Sequence, residues 1–379
     1  MKSLYWRPQR VPWTAVAAVA AVALGGLGVV ENVGGGPPQA TLERMRQASQ
    51  VAAEGVAAVR EARLARGLAI APATDPTESG LVGEPMSPTT SNSGDLFAKQ
   101  TSINPNFAAV VVRMLEDAGV ERGDVVAAGF SGSFPALNLA VLAAAEAMEL
   151  ELIVVSSVGA SQWGANHPAL TWVDMERALA ERGVDPARSA AVSLGGLEDR
   201  ALSMSERGRR LLRRAIERSG RPFLEVEGHD DSVRRRMAVY DRAAAGRPIA
   251  AYVNVGGATA SVGSPDAKHA FRPGLNRDLP PAAALVDSVM GRFLGRGVPA
   301  LHLVNVARLA TAHGLPLAPT ARPLPGQGGL YRDGRADPWL VLLALSLTLG
   351  SGFLFLRSSR GQRLFWAAER REDELRPSV

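Results

Sequence analysis

Two uncharged apolar stretches, residues 11–30 and 338–356, stand at opposite ends of the chain, and nothing between them is continuously apolar over a comparable length. Each has about the 20 residues that a helix needs to cross a bilayer core. The pattern therefore predicts one transmembrane helix at each end with a globular part between. Lys2, Arg7 and Arg10 precede the first stretch, and Arg357, Arg360 and Arg363 follow the second. The inner flanks carry Glu31 on one side and Asp333, Arg335 and Asp337 on the other. Lys and Arg near the ends of a span favour the cytoplasm. The expectation is a two-span protein of the cell membrane, with tails 1–10 and 357–379 cytoplasmic and the main domain extracytoplasmic. The first stretch exceeds the roughly 7–15 apolar residues of a signal-peptide core, which favours an anchor, although its small residues leave cleavage open.

Between the stretches the periodicity changes twice. Leu42, Met45, Ala48, Ala52, Val56, Val59 and Ala62 recur at helical spacing, predicting a helix over 41–67 with Thr41 at its start and Gly67 at its end. Residues 71–93 are rich in Pro, Thr, Ser and Gly and read as a long loop. From residue 104 onward, helical segments (104–118, 134–150, 171–182, 203–218, 231–245, 281–294) alternate with short apolar runs (124–130, 152–156, 190–194, 223–226, 249–255, 300–304). Such alternation implies βαβ units. The expected fold class is α/β: a doubly wound, mostly parallel sheet flanked by helices over 104–330. The helix and loop of 31–103 come before it, and a short connector, 331–337, leads to the second span.

Composition narrows the chemistry. The 379 residues include no cysteine, which excludes disulfides, thiolate catalysis and Cys-based zinc sites. The formal charge is +5. Arg207, Arg209, Arg210, Arg213 and Arg214 are interleaved with Glu206 and Glu217, so they read as a solvated helix face and no nucleic-acid partner is expected. His167, His229, His269, His302 and His313 show no metal-ligand spacing, and no phosphate-loop motif is present. Neither a metal site nor a cofactor is expected.

In parallel sheets ligands bind beyond the carboxyl ends of strands, and three turns there are rich in chemistry. Gly129-Phe130-Ser131-Gly132-Ser133-Phe134-Pro135 joins a strand to a helix; Ser131, Gly132 and Ser133 suit an anion at a helix start. The same turn nearly meets the Gly-x-Ser-x-Gly nucleophile pattern, with Ser133 in place of the last glycine. Ser131 and Ser133 are thus catalytic candidates, with His229 in Gly228-His229-Asp230-Asp231 as a base. Capping of a helix is the simpler role for these residues. The second turn runs Ser156-Ser157-Val158-Gly159-Ala160-Ser161-Gln162-Trp163-Gly164-Ala165-Asn166-His167. Its Ser156, Ser157, Ser161, Trp163, Asn166 and His167 are ligand-binding candidates. The third holds Asn254, Gly256 and Gly257, a candidate cradle of backbone N–H groups.

The opening Leu4-Tyr5-Trp6-Arg7-Pro8, the run from Gly129 to Asn138 and the run from Ser156 to Asn166 resemble the poly-γ-glutamate system proteins. That resemblance implies an accessory role beside a cytoplasmic amide ligase and a small membrane protein that build and export poly-γ-glutamate. It carries no catalytic residues with it. The expected partners are poly-γ-glutamate or another anionic polymer, membrane-bound synthase subunits, and the membrane. Two rival functions stay open: a serine hydrolase or transferase acting on the polymer, and a scaffold for the synthase complex.

Overall fold

The computed structural model describes residues 13–33, 37–184, 188–264, 269–331 and 338–357. Gln39–Tyr331 forms one compact unit, and the terminal helices α1 (Trp13–Val33) and α12 (Pro338–Arg357) belong to another. The main unit is an α/β fold around a six-stranded sheet. Five strands are parallel: β1 (Val125–Ser131), β2 (Glu151–Ser157), β5 (Ala191–Ser193), β6 (Ile249–Val255) and β8 (Ala300–Leu303). An antiparallel edge strand, β7 (Gly274–Asn276), completes the order β5-β2-β1-β6-β8-β7. A two-residue hairpin, β3 (Asn166–His167) with β4 (Leu170–Thr171), lies apart from it.

Strand alternation explains why both faces are covered. Val126, Ala128 and Phe130 of β1 point into one apolar cluster with α2 (Gln39–Ala65), α4 (Phe107–Asp117), α5 (Pro135–Ala147) and α6 (Trp172–Glu181). Val125 and Ala127 point into the other, with α8 (His229–Ala243) and α10 (Val289–Gly295). A period of two on a strand buried on both sides gives the near-continuous apolar runs of β1, β2 and β6. Helix α5 is apolar almost all round because it is sandwiched between the sheet and α2. Gly55 of α2 lets the two helices meet, since a Cβ there would fall 2.4 Å from a Leu139 methyl.

Several boundaries differ from the sequence pattern for visible reasons. Residues 223–226 are extended, with Leu224 and Val226 buried, but join β5 by a single bridge: Val192 N–H donates to the Pro222 carbonyl (2.9 Å) and Leu224 N–H to the Val192 carbonyl (2.7 Å). The span 281–294 breaks in two. Val286 is extended, and the Ser288 hydroxyl accepts from Gly291 N–H at 3.0 Å to start α10 afresh. β7, α3 (Leu96–Ser102), α9 (Thr259–Val262) and α11 (Val306–Ala312) are elements that the periodicity did not announce.

The transmembrane expectation is corrected. Among the described residues no helix is long and apolar enough to cross a membrane. The expected two-span membrane localisation, with cytoplasmic termini and an extracytoplasmic domain, falls with this finding. The two helices pack antiparallel through small residues: Gly26 faces Ala344, and Gly352 faces Val19. Residues 1–12, the glycines at 34–36, residues 332–337 and residues 358–379 lie outside the described residues.

A buried ion pair ties the sheet to the loop after β5. Arg236 of α8 and Asp199, each with a 2% exposed side chain, are 2.8 Å apart. Arg236 also donates to Ser157 of β2 (2.9 Å) and Ser193 of β5 (2.7 Å), while Ser232 donates to Asp199 (2.6 Å). Burial is the largest single influence on the guanidinium and lowers its pKa, but Asp199 together with Tyr240 and Tyr252 offsets it and the net shift is upward. Breaking such a pair strands one buried charge, at a cost of about 3–5 kcal/mol. We therefore expect Asp199→Leu alone to destabilise the protein by that amount in urea unfolding. The double change Asp199→Leu with Arg236→Met should recover much of the loss.

Candidate functional site

The order of the sheet reverses between β1 and β6: the chain proceeds outward to β2 and β5, then returns to the other side through β6 and β8. At such a point the connections leave in opposite directions and a crevice opens beyond the carboxyl ends. The turn after β1 and the turn after β6 flank this point. Gly256 has φ +83°, and a Cβ there would lie 3.5 Å from Ser131 Cβ and 3.9 Å from the Phe134 ring, so the two turns approach closely. Asn254 is buried; its amide donates to the Gly256 carbonyl (2.7 Å) and pairs with His302 Nδ1 (2.9 Å), while its Oδ1 has no partner among the described residues. Gly257 is exposed at the rim.

The β1 turn is built from hydroxyl and backbone contacts. Ser133 N–H donates to Ser131 Oγ (3.2 Å), and the Asn138 amide donates to the Ser131 carbonyl (2.9 Å), fixing the start of α5. Gly132 passes so close to the second turn that a Cβ would sit 2.6 Å from the Val158 carbonyl oxygen. Gly132 N–H donates to Ser157 (2.9 Å), and its carbonyl accepts from Ala165 N–H (2.7 Å). Ser133 Oγ accepts from Ser161 N–H at 3.0 Å, joining the two turns through a side chain.

Lys99 of α3 enters this junction from beneath the long loop. Its Nζ donates to the Ser133 carbonyl and is hydrogen-bonded to Ser161 Oγ at 2.8 Å. It also lies 3.7 Å from the centroid of the Phe134 ring. Lys99 and Ser161 are 3% and 5% exposed, while Ser133 and Phe134 are half-buried and lead outward. Burial pushes the Lys99 amine down to about 7, partly opposed by Asp95. Sequence reading passed over Lys99. A signal was present: lysine occurs only at positions 2, 99 and 268, and every other Lys/Arg position is arginine. Lysine can surrender its proton when buried, which arginine cannot.

The second turn divides its candidates between different tasks. Ser156 faces α6, where its hydroxyl meets Ser189 (2.6 Å) and the Trp172 indole N–H (3.2 Å). Ser157 belongs to the Arg236–Asp199 network on the opposite face. Asn166 is fully buried and serves the long loop: its Oδ1 accepts from Glu84 N–H (2.8 Å), and its amide donates to the Glu84 carbonyl (2.8 Å) and Thr90 Oγ1 (2.9 Å). His167 Nδ1 accepts from Ala169 N–H (3.1 Å), and burial lowers its pKa. Trp163 sits at φ +55°, held by Trp163 N–H to Glu84 (2.8 Å) and Gly83 N–H to Trp163 (3.0 Å), and its indole nitrogen has no partner among the described residues. His229 stands at the start of α8 with Nε2 2.7 Å from the Asp287 carbonyl, and no hydrogen bond links it to Ser131 or Ser133 among the described residues.

The loop of 71–93 is therefore an ordered strap over the strand ends. Asp75 accepts from Ser79 N–H (3.0 Å) and Gly80 N–H (2.8 Å), and Arg63 donates to the Val82 carbonyl (2.7 Å). Side chains thus supply the partners that a loop backbone lacks.

A second concavity lies at the β5 edge. It is a cleft of ≈ 400 Å³ lined by Arg200, Arg209, Arg210 and Arg213 together with Glu206, Glu225 and Phe223, and floored by Leu194 and Leu224. Arg210 pairs with Glu206 and Arg213 with Glu225, both at 2.9 Å and both solvent-exposed. Among the described residues no cluster of acidic or imidazole groups could hold a metal. Comparison with protein-family models, curated proteins and solved structures finds no match for this chain.

The depressed Lys99 pKa makes a stability prediction. Between about pH 7 and the ordinary lysine range, the unfolded chain holds a proton on Lys99 that the folded chain lacks. Stability then rises with pH, with a slope on the order of 1 kcal/mol per pH unit at most. Urea unfolding from pH 7 to pH 10 should show this component in the native protein, and Lys99→Met should remove it. A second expectation concerns the strap. Asn166→Ala strips the Glu84 N–H of its acceptor and removes one donor each from the Glu84 carbonyl and Thr90 Oγ1, so limited proteolysis should cut within 71–93 at least tenfold faster than in the native chain, equivalent to about 1.4 kcal/mol of local stability.

Proposed function

We propose that this chain binds an anionic, carboxylate-bearing polymer and acts as an accessory protein in its production, poly-γ-glutamate being the polymer that the resemblance implies. The observation that carries the reading is the arginine-lined cleft at the β5 edge. A guanidinium offers paired N–H groups that match a carboxylate, and its charge does not depend on pH. Poly-γ-glutamate presents one carboxylate per residue. The cleft presents Arg200, Arg209, Arg210 and Arg213 along one wall system, with apolar Leu194 and Phe223 to receive methylene groups between carboxylates.

The acids in the cleft do not oppose this role strongly. Asp199 is neutralised by Arg236. Glu206 and Glu225 hold exposed ion pairs, which are worth about 1 kcal/mol or less, so polymer carboxylates can exchange with them. The same two acids interrupt the continuous basic stripe that a nucleic-acid backbone favours. Sequence alone reads these arginines as a solvated face; the cleft adds concavity and an apolar floor, which a plain solvated face lacks.

Calorimetric titration of the full chain with poly-γ-glutamate at low salt tests the reading. Expected is binding that weakens steeply with added NaCl, as exposed charge contacts do, and no binding of an uncharged polymer of similar length. Replacing both Arg210 and Arg213 by Glu should weaken affinity by about tenfold or more, since two exposed pairs at up to about 1 kcal/mol each are lost. Absence of binding by the native chain at low salt, or a double variant that binds as tightly as native, rejects the proposal.

A further inference from the structure

We propose that Ser161 and Lys99 form an acyl-transfer centre, with Ser161 Oγ as nucleophile and the Lys99 amine as general base, acting on an amide or ester carbonyl. The geometry is that of a base and its nucleophile: 2.8 Å separates Nζ from Oγ, within the range from which a proton can pass. A third group orients the base, because Lys99 Nζ is also anchored on the Ser133 carbonyl. Ser133 holds the nucleophile's backbone in turn, its Oγ accepting from Ser161 N–H at 3.0 Å.

Two further features single this spot out from an ordinary buried lysine. Trp163, two residues beyond the nucleophile, is held at φ +55°, a conformation that costs a non-glycine residue about 1–3 kcal/mol and persists only where surrounding bonds enforce it. Its indole N–H is a buried donor with no partner among the described residues. In addition, the chain uses lysine rather than arginine here, and burial brings that amine down to about 7, where it can accept a proton near neutrality. Ser133 and Phe134, which both contact Lys99, are half-buried, whereas Lys99 and Ser161 are buried.

The chemistry balances with water or a second amine as co-reactant. The Ser161 Oγ–H proton passes to the neutral Lys99 amine as Oγ bonds to the carbonyl carbon. The tetrahedral adduct collapses, the C–N bond breaks, and the Lys99 ammonium returns its proton to the departing amine. Water, or an amine of another chain, then attacks the acyl-serine while Lys99 takes its proton; the C–Oγ bond breaks, and the proton returns to Ser161. This assignment differs from a Ser131 or Ser133 nucleophile with His229, and it is independent of polymer binding at the arginine cleft.

Labelling of the full chain with a fluorophosphonate probe decides the matter. The expected result is a single covalent adduct that peptide mass mapping places on Ser161, with a labelling rate that climbs through neutral pH and levels off above it. Ser161→Ala should abolish labelling. Lys99→Arg keeps the cation but cannot accept the proton, and should slow labelling by roughly 10²–10⁴-fold. No adduct on the native chain at pH 9, an adduct on another residue, or a Lys99→Arg variant labelled at the native rate overturns the proposal. If Lys99→Arg does not fold, the adduct position and pH profile of the native chain decide alone. Failure here leaves the titration with poly-γ-glutamate unaffected, so the two readings fail separately.

Discussion

Arg236 and Asp199 hold opposite charges in a place that water scarcely reaches, and much of the carboxyl-end architecture depends on their pairing. Asp199 sits at φ +61°, between Glu198 at +55° and Ala201 at +54°, in a loop that also contains Gly195 and Gly196 at positive φ. Left to itself such a loop would relax, since each non-glycine residue there costs about 1–3 kcal/mol. The guanidinium holds it by bonding Asp199 through two nitrogens and reaching Ser157 and Ser193 at the ends of β2 and β5. The same loop supplies Asp199 and Arg200 to the arginine-lined cleft. A buried charge pair is a poor source of net stability, but it is strict about geometry, because any misplacement leaves a charge without its partner. Here that strictness positions a strained loop beside an exposed basic helix.

The strap of 71–93 applies the same logic with neutral groups. A loop that covers strand ends takes its own N–H and C=O groups out of water, and each must find a partner. Asn166, Asp75 and Arg63 provide those partners from three separate elements. Lys99 lies in α3, immediately after the strap, so the order of the strap fixes the depth at which its amine is buried. That depth in turn sets the amine near neutrality. Local loop order and the protonation of one side chain are thus linked by a few hydrogen bonds.

The sheet could be read in the sequence because strands buried on both faces are apolar without interruption, as in β1, β2 and β6, and because helices of clear period separate them. Boundaries were harder where the ladder, not the pattern, decides. Residues 223–226 alternate as a strand does, yet the partner edge beyond Val192 is missing and Pro222 has no N–H to give. Residues 281–294 carry helical spacing, yet Ser288 caps a new helix while Asp287 turns its side chain to Arg292 and its carbonyl to His229. Of the candidate residues, the serines of the β1 turn and Ser161 do converge, since parallel neighbours β1 and β2 place their following turns side by side. Asn166 and Ser156 looked like ligand groups by composition, but composition does not distinguish a group facing ligand from one satisfying backbone. The scarcity of lysine could have drawn attention to Lys99, but its pairing was illegible because its partners are 34 and 62 residues away.

The chain's two kinds of cation mark two kinds of task. Arginine is used wherever charge has to persist: in the buried pair with Asp199, in the strap contacts of Arg63, and around the cleft. Its guanidinium stays protonated through any physiological pH and through substantial burial. Lysine appears once among the described residues, at the one junction where two strand turns, a half-buried aromatic ring and a serine hydroxyl meet. An arginine there would satisfy the Ser133 carbonyl equally well by charge, but it could not become neutral. The placement of the single residue type that can lose its proton, at a depth that makes the loss easy, is more economically explained by proton exchange with Ser161 than by cohesion alone.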